Sequence, residues 1–246
     1  MKRSLKDLSH YSLETKDGKV GSTKDFLLDE KQWIIRYLEA DFGGWFSSMK
    51  ILIPRVFLKP PEWNQYIFST EIMSDDISRC PKLKSHLPVS KEYENELSKH
   101  YEINPYWAAN YIGASDTLYP PRPIKIPTTV IDENDMTSIL RSFKEIKGYE
   151  IEAIDGKFGQ VVDLVIDDED WQIIYVIVDT KLLVPWSKKV MIGVEWLHEI
   201  SYVEREVKIN LSMEAIKDAP EFDPNQLADK RYERMLFDYY SASLMR

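Results

Sequence analysis

The chain of 246 residues has little of what several classes of protein require. It contains one cysteine, Cys80, so an internal disulfide framework is excluded and a reducing compartment is compatible. Its longest apolar runs, such as residues 173–178, are far shorter than the ~20 residues that cross a bilayer. No apolar stretch follows the N-terminus, because Lys6, Asp7 and Ser9 interrupt it, and no signal peptide is expected. These absences predict a cytoplasmic protein with no membrane span.

Positive charge is also scarce. The chain has 32 Lys and Arg against 41 Asp and Glu, which gives a formal net charge of −9 at pH 7, and the basic residues form no dense run. Such a chain repels phosphate backbones, so general nucleic-acid binding is not expected. Hydrophobic residues make up 43% of the sequence, which is enough for packed cores, and the length favours about two domains.

Motifs of catalysis and metal binding are missing as well. The sequence has no Gly-x-Ser-x-Gly elbow, no Walker phosphate loop and no dinucleotide-binding glycine fingerprint. No second histidine follows His198-Glu199 at zinc-protease spacing, and a lone cysteine cannot form a thiolate zinc cluster. Cys80 is expected to be an unreactive residue at a helix end. We therefore predict no catalytic, cofactor-binding or metal-binding residues.

The sequence does contain an internal repeat. The segment at residues 17–21, Asp-Gly-Lys-Val-Gly, returns 138 positions later as Asp-Gly-Lys-Phe-Gly at residues 155–159, and after one inserted residue the offset becomes 139. Further pairs at these offsets are Arg3-Ser4 and Arg141-Ser142, Asp25 and Asp163, Trp33 and Trp171, Tyr37 and Tyr175, Asp41 and Asp179, Trp63 and Tyr202, Tyr93 and Tyr232, and Tyr101 and Tyr240. An ordered series of this length indicates duplication of one module.

Each repeat is predicted to be mainly strands. The Asp-Gly pairs predict hairpin turns, because both residues tolerate positive φ. Ser212 is a predicted N-cap for a short helix that ends near Pro220, and Ser74 is predicted to do the same for residues 75–79. The remaining predicted elements are strands at 161–167, 171–179, 190–202 and 206–211, and helices at 91–101 and 224–240.

The repeat divides the chain into three predicted parts. Residues 1–103 form the first module with its trailing helices, and residues 137–246 form the second. Between them, residues 104–136 form a proline-rich linker that includes Pro120-Pro121-Arg122-Pro123. Proline at this density favours extended, semi-rigid chain over a third core.

The matched pattern resembles the PRC-barrel family, named for the cytoplasmic domain of the photosynthetic reaction-centre H subunit. Residues 140–142 (Leu-Arg-Ser), 155–159 (Asp-Gly-Lys-Phe-Gly), Asp163, Trp171 and 189–192 (Lys-Val-Met-Ile) carry the resemblance in the second repeat, and the first repeat shows the same order. The resemblance implies a mainly β protein with two tandem small barrels, each followed by short α-helices. It also implies docking to other macromolecules rather than a chemical step.

Carboxylates and aromatic residues are the remaining candidates for a site. Residues 167–170 place four acids in one turn, and hard cations favour such oxygen ligands. A solvated turn explains them better, because the matching residues 29–32 keep two acids. The repeated aromatic pairs are expected in the core, and the pairs Asp25/Asp163 and Asp41/Asp179 are expected to make turn or strand-end hydrogen bonds.

Residues that differ between the repeats are better candidates for contact with a partner. Trp45 and Trp186 lie in a loop where the repeats differ in length, and Arg55 and Trp107 are further candidates. The leading hypothesis is a non-enzymatic tandem PRC-barrel protein that binds a protein partner or itself. The alternative is a protein that binds a small molecule or a metal ion through its acidic turns or a cleft between the barrels.

Overall fold

The computed structural model describes residues 1–43, 48–83, 89–107, 140–180 and 188–243. The chain divides into two compact units. The N-terminal unit comprises Asp7–Ser142 and Glu169–Trp171, and the C-terminal unit comprises Met1–Lys6, Phe143–Asp168 and Gln172–Arg246. Trp45 and Trp186, and most of the predicted linker, lie outside the described residues.

Thirteen strands and six α-helices are present in the described ranges, numbered here in chain order. The strands are β1 (Lys2–Ser4), β2 (Ser12–Glu14), β3 (Val20–Asp29), β4 (Ile34–Asp41), β5 (Lys50–Pro54), β6 (Ile67–Ser69), β7 (Leu140–Ser142), β8 (Glu150–Ala153), β9 (Gly156–Asp167), β10 (Ile173–Asp179), β11 (Lys189–Gly193), β12 (Leu197–Ser201) and β13 (Glu206–Ile209). The helices are α1 (Leu5–Leu8), α2 (Ser74–Arg79), α3 (Lys91–His100), α4 (Phe143–Ile146), α5 (Met213–Asp218) and α6 (Lys230–Ser243).

Each unit is built on one sheet. In the N-terminal unit the strand order is β5-β4-β3-β2-β6, with β7 also paired to β3. In the C-terminal unit the order is β11-β10-β9-β8-β13-β12, with β1 also paired to β9. The predicted mainly β class with short helices is confirmed, and the strand pairs of the described residues do not show a closed barrel.

The predicted hairpins are present in both units. Strands β2 and β3 pair antiparallel across a turn in which Gly18 has φ of +85°, and β8 and β9 pair in the same way. Strand β4 is buried along its length from Ile34 to Ala40. Fully buried Phe26 and Phe68 of the N-terminal unit and Phe158 of the C-terminal unit lie in the cores of the sheets.

Each unit contains one strand from the other repeat. Strand β7 of the second repeat pairs with β3 of the first, with Ser142 opposite Leu27 and Leu140 opposite Asp29. Strand β1 of the first repeat pairs with β9 of the second, with Ser4 opposite Val165 and Lys2 opposite Asp167. These registers are equivalent, because each residue in the first set matches one in the second at an offset of 138. The two repeats therefore exchange the same strand.

The same side-chain pairs hold both exchanged strands. Arg141 donates two hydrogen bonds to the Glu30 carboxylate, with Nε to Oε2 at 2.6 Å and Nη2 to Oε1 at 3.0 Å. Ser142 donates its hydroxyl to Asp25. In the other unit Arg3 Nε donates to Asp168 Oδ2 at 3.3 Å, and Ser4 Oγ donates to Asp163 Oδ2 at 2.5 Å. Asp25 and Asp163 do form side-chain hydrogen bonds, but they lie within β3 and β9 and hold the exchanged strand, so the predicted turn or strand-end position is wrong for this pair.

Three local predictions need correction. The strand predicted at 190–202 is two strands, β11 and β12, separated by a 3₁₀ turn at Val194–Trp196. The helix predicted at 224–240 is a 3₁₀ turn at Pro224–Gln226 followed by α6, which begins at Lys230. The prediction of Tyr202 in the core is wrong, because 39% of its surface is exposed in the turn before β13.

Helix caps were predicted with mixed success. Ser212 accepts a hydrogen bond from Ala215 N at 3.1 Å and is the N-cap of α5, as predicted. Ser74 is not a cap, because α2 begins with it. Its N–H donates to Asp17 Oδ1 at 2.9 Å instead, so the aspartate of the hairpin turn stabilises the start of the helix. Met213 N donates to Asp155 Oδ1 at 2.7 Å in the equivalent position.

Candidate functional site

A cavity of about 310 Å³ lies in the N-terminal unit. Its walls are β4, the 3₁₀ turn Arg55–Phe57, the C-terminal end of α3 and the segment that follows it. The lining residues used below are Arg36, Tyr37, Arg55, Val56, Ser98 and Tyr106. We call this cavity the arginine pocket, because two guanidinium groups face it.

Arg36 is the more deeply buried of the two arginines, with 8% of its surface exposed. Its Nη2 donates to Asp29 Oδ2 at 3.0 Å and to Gln32 Oε1 at 2.6 Å. Its guanidinium carbon lies 4.1 Å from the centre of the Tyr106 ring, which is cation–π distance. Its buried Nε has no hydrogen-bond partner. One edge of this guanidinium is therefore neutralised by Asp29, and one donor is unsatisfied.

Arg55 has a weaker set of partners. Its Nη1 donates to the main-chain carbonyl of Asp170, and it forms no ion pair with any residue in the described ranges. Burial, together with repulsion from Arg36, lowers the pKa of the Arg55 guanidinium to about 10, against an opposing attraction from Asp170. A guanidinium stays protonated at neutral pH even with this shift. Arg55 is thus a desolvated cation without a carboxylate bound to it.

A buried carboxyl group lies behind the pocket on α3. Glu94 has no exposed surface, and neither Oε1 nor Oε2 receives a hydrogen bond of normal geometry. Burial raises the pKa of Glu94 to about 7, although the Tyr37 and Tyr106 hydroxyls and the charge of Arg36 act in the opposite direction. Glu94 therefore changes its protonation state near neutral pH, which is unusual for a glutamate.

The second repeat does not reproduce this chemistry. Arg36 corresponds to Ile174 and Arg55 to Val194, so both guanidiniums are replaced by aliphatic side chains. Glu94 corresponds to Glu233, which forms an ion pair with Lys2 within the C-terminal unit. That unit has its own cavity of about 430 Å³, lined by the aromatic residues Tyr175, Trp196, Phe237 and Tyr240. The two units thus share a cavity position but not its charges.

The residues predicted to contact a partner lie in different parts of the structure. Arg55 lines the pocket, and Trp107 is half-buried with its ring 4.8 Å from that of Tyr106, centre to centre. The loops of Trp45 and Trp186 lie outside the described residues. The sequence prediction therefore selected one residue of the pocket and a neighbour of another.

Arg36, Glu94 and Tyr106 were not predicted. The signal for Arg36 was present in the repeat, because this charged residue matches Ile174 of the apolar run at residues 173–178. Glu94 gave no comparable signal, since Glu233 matches it and its burial depends on the tertiary fold. Tyr106 lies in the segment that was predicted to be linker.

The prediction of a solvated acidic turn is wrong for two of its four residues. Asp167 and Asp170 are buried, with 6% and 7% of their surface exposed. The amino group of Met1 lies 3.4 Å from Asp167 Oδ1 and also binds Asp168, whose other oxygen accepts from Arg3. Among the described residues, no group of three or more His, Cys, Asp or Glu side chains is placed to hold a metal ion.

Cys80 lies directly after the end of α2, as predicted. It is buried, and its Sγ is 3.4 Å from the Tyr101 hydroxyl. Burial raises the pKa of the thiol to about 11, with the Tyr101 hydroxyl opposing the shift. The thiolate that a nucleophile requires is therefore scarce at neutral pH.

Comparison with known proteins gives no family for this chain. No protein-family description matches it, and no curated protein matches it significantly. None of the helices in the described ranges combines the length and the apolar character that a membrane-spanning helix requires.

Proposed function

We propose that this chain is a non-enzymatic binding protein of the tandem PRC-barrel type, and that its N-terminal unit binds a ligand with an oxyanion group in the arginine pocket. The observation that carries the proposal is the pair Arg36 and Arg55, which line one cavity. Among the described residues, Asp29 is the one carboxylate that forms an ion pair with them, and Glu102, which also lines the cavity, is exposed. The anionic group is a carboxylate or a phosphate, because both match the planar donors of a guanidinium.

The electrostatics favour an anion over a neutral or cationic ligand. Two neighbouring guanidiniums repel each other in a partly desolvated site, and an anion between them converts the repulsion into attraction. Arg36 Nε is buried and has no partner, so the positive charge of this guanidinium is only partly satisfied by Asp29 and Gln32. A buried donor without a partner costs about 1–3 kcal/mol, which a nearby negative charge offsets in part.

The rest of the cavity suits a small apolar or aromatic body attached to the anionic group. Its volume is near the lower limit of ligand pockets, which is about 300 Å³. Tyr106 and Val56 line it, and the Trp107 ring contacts that of Tyr106. The anionic group belongs either to a free small acid or to an acidic side chain of a protein partner. The second source is the protein-docking function expected from the PRC-barrel resemblance.

Thermal unfolding tests the proposal, because a ligand that binds only the folded state raises Tm. The probes are acetate, benzoate, succinate and phosphate, with benzamide as the neutral counterpart of benzoate. We expect at least one anion to raise Tm in the wild type and benzamide to have no effect. An acidic peptide tested beside the small acids distinguishes a protein partner from a free ligand.

Substitution of Arg55 localises the binding. Arg55→Gln should abolish the Tm increase, since it removes the cation and keeps much of the side-chain volume. Arg79→Gln is the matched control, because Arg79 belongs to the same unit and pairs with Asp75 and Asp76 on the surface of α2. The proposal is overturned if no anion raises the Tm of the wild type, or if Arg55→Gln responds as Arg79→Gln does.

A further inference from the structure

The Glu94 carboxyl interacts with Arg36, Tyr37 and Tyr106, which line the arginine pocket, and anion binding alone does not explain its burial. The groups that face it come from three elements, with Arg36 and Tyr37 on β4, Asp29 at the end of β3, and Tyr106 after α3. The positive charge of Arg36 therefore interacts with two carboxyl groups, those of Asp29 and Glu94. Asp29 binds it directly, at 3.0 Å from Nη2, whereas Glu94 receives no hydrogen bond of normal geometry.

A bound anion adds a third negative group to this set. Arg36 is already paired with Asp29. Ionised Glu94 and a bound anion would therefore both depend on the remaining positive charge of the same guanidinium. Like charges in a desolvated site raise each other's cost, so three anions around Arg36 and Arg55 would be unfavourable. A proton on Glu94 removes one of the three charges. The Tyr37 and Tyr106 hydroxyls and the charge of Arg36 favour the ionised form of Glu94, but burial outweighs them and raises its pKa.

We propose that anion binding in the arginine pocket is coupled to proton uptake by Glu94, so that the pocket binds its ligand tightly when Glu94 is neutral and weakly when it is ionised. This inference rests on the proposed function, because it describes the regulation of the same site. On binding, one proton passes from solvent to a Glu94 carboxylate oxygen. On release of the ligand, the proton returns to solvent, and no covalent bond to the ligand is made or broken.

The direction of the pH dependence follows from the charges. The pKa of Glu94 lies near 7 in the free protein. A bound anion disfavours the ionised form and raises this pKa further, so protons are taken up on binding at neutral pH and above. Affinity is therefore constant at acidic pH and falls by up to about tenfold per pH unit above neutrality.

In the second repeat, the carboxyl group that matches Glu94 is neutralised by a different group. Glu233, the counterpart of Glu94, is neutralised by the ammonium group of Lys2, which belongs to the exchanged strand β1. The residue at the corresponding position of β7 is Leu140, which carries no charge. Lys2 neutralises Glu233 in the C-terminal unit, and protonation would neutralise Glu94 in the N-terminal unit.

Calorimetric titration of the full chain with benzoate tests the coupling, because the charge of benzoate is constant over the range used. We expect the wild type to bind at least about tenfold more weakly at about pH 8.5 than at about pH 6. Glu94→Gln mimics the neutral carboxyl and should bind about equally at both values, with the affinity of the wild type at the lower pH. His100→Gln, which removes the nearest histidine along α3, should keep the pH dependence of the wild type.

A second measurement does not depend on how well the variant folds. The binding enthalpy of the wild type, measured near pH 8 in buffers of different ionisation enthalpy, reports the protons taken up, and we expect close to one per benzoate. Zero uptake, or an unchanged pH dependence in Glu94→Gln, overturns the coupling and leaves the anion site standing. Failure of every anion to bind at acidic pH overturns the proposed function and this inference with it.

Discussion

Arg141 binds both carboxylate oxygens of Glu30 and so attaches β7, a strand of the second repeat, to a residue of the first repeat. Arg3 and Asp168 form the matching contact at the other exchanged strand, through a single hydrogen bond of 3.3 Å. Bidentate contacts between arginine and carboxylate are stronger and more directional than single ones. The attachment of β7 is thus the better-defined of the two.

Removal of the Ser142 hydroxyl should destabilise the N-terminal unit. Ser142→Ala leaves an oxygen of Asp25 without its serine donor, in a residue with 4% of its surface exposed. A lost hydrogen bond to a buried charged group costs about 1.5–3 kcal/mol. Urea unfolding measures this loss in the free energy of unfolding.

The matched variant is Ser4→Ala in the C-terminal unit. Asp163 is half-buried whereas Asp25 is buried, so this substitution should cost less. Equal losses in the two variants would contradict the argument that burial of Asp25 makes its serine contact the more valuable one.

Glu94→Gln should also change how stability depends on pH. The carboxyl has a pKa of about 7 in the folded protein, raised by burial, against an ordinary value of 4.5 in the unfolded chain. The folded state therefore holds more protons between these values, and this group lowers the stability of the wild type as pH rises from 4.5 to 7. The total loss is about 3 kcal/mol, since each pKa unit corresponds to about 1.4 kcal/mol.

Urea unfolding of the wild type and Glu94→Gln across this pH range tests that expectation. The two proteins should be similar at acidic pH, where both side chains are neutral, and the variant should be the more stable above pH 7. Parallel pH profiles of the free energy of unfolding would show that Glu94 ionises normally in the folded protein.

The exchange of strands shows what the repeat could and could not predict. The offsets correctly matched Arg3-Ser4 to Arg141-Ser142 and Asp25 to Asp163. They could not say which serine binds which aspartate, because the two pairs are chemically identical and either arrangement satisfies the same hydrogen bonds. Only the tertiary structure distinguishes them. The hairpins and the mainly β class were predictable because the Asp-Gly turns and apolar strands are local signals.

The candidate site was predictable in part for a similar reason. Arg55 was named as a further candidate for partner contact, and comparison of the repeats at Arg36 and Ile174 would have identified Arg36. The properties that matter for chemistry, such as the missing partner of Arg36 Nε and the burial of Glu94, are set by β4, α3 and the segment around Tyr106 together. No single stretch of sequence contains that information.

Cys80 should be unreactive in the folded protein. Burial raises its pKa to about 11, so the thiolate is a small fraction of the thiol at neutral or mildly alkaline pH. A thiol reagent such as iodoacetamide should modify it slowly near pH 8 in the native state and rapidly in urea. Rapid modification of the native protein would mean that the contact of Cys80 with Tyr101 opens readily.

Substitution of two glycines of the C-terminal unit distinguishes the cost of backbone strain from the cost of steric contact. Gly148 has φ of +105°, and a Cβ added to it would meet no atom within 4 Å. Gly159 has φ of +55°, and its added Cβ would collide with the carbonyl oxygen of Asp179 on the neighbouring strand β10. A side chain in the left-handed region costs about 1–2 kcal/mol by itself, so Gly148→Ala should lose about that much. Gly159→Ala should lose clearly more, because the obstacle is backbone that cannot move without breaking the pairing of β9 and β10.

Chemical unfolding of both variants, with the wild type as reference, measures the difference. Amide exchange at β10 adds a local readout, since Gly159→Ala should accelerate exchange at residues 178 and 179, which pair with Val161 and Gln160. Gly148→Ala should leave that exchange unchanged. If the two alanines cost the same free energy and neither alters exchange in β10, strain at positive φ accounts for both, and the close approach of the Asp179 carbonyl to Gly159 has no energetic weight.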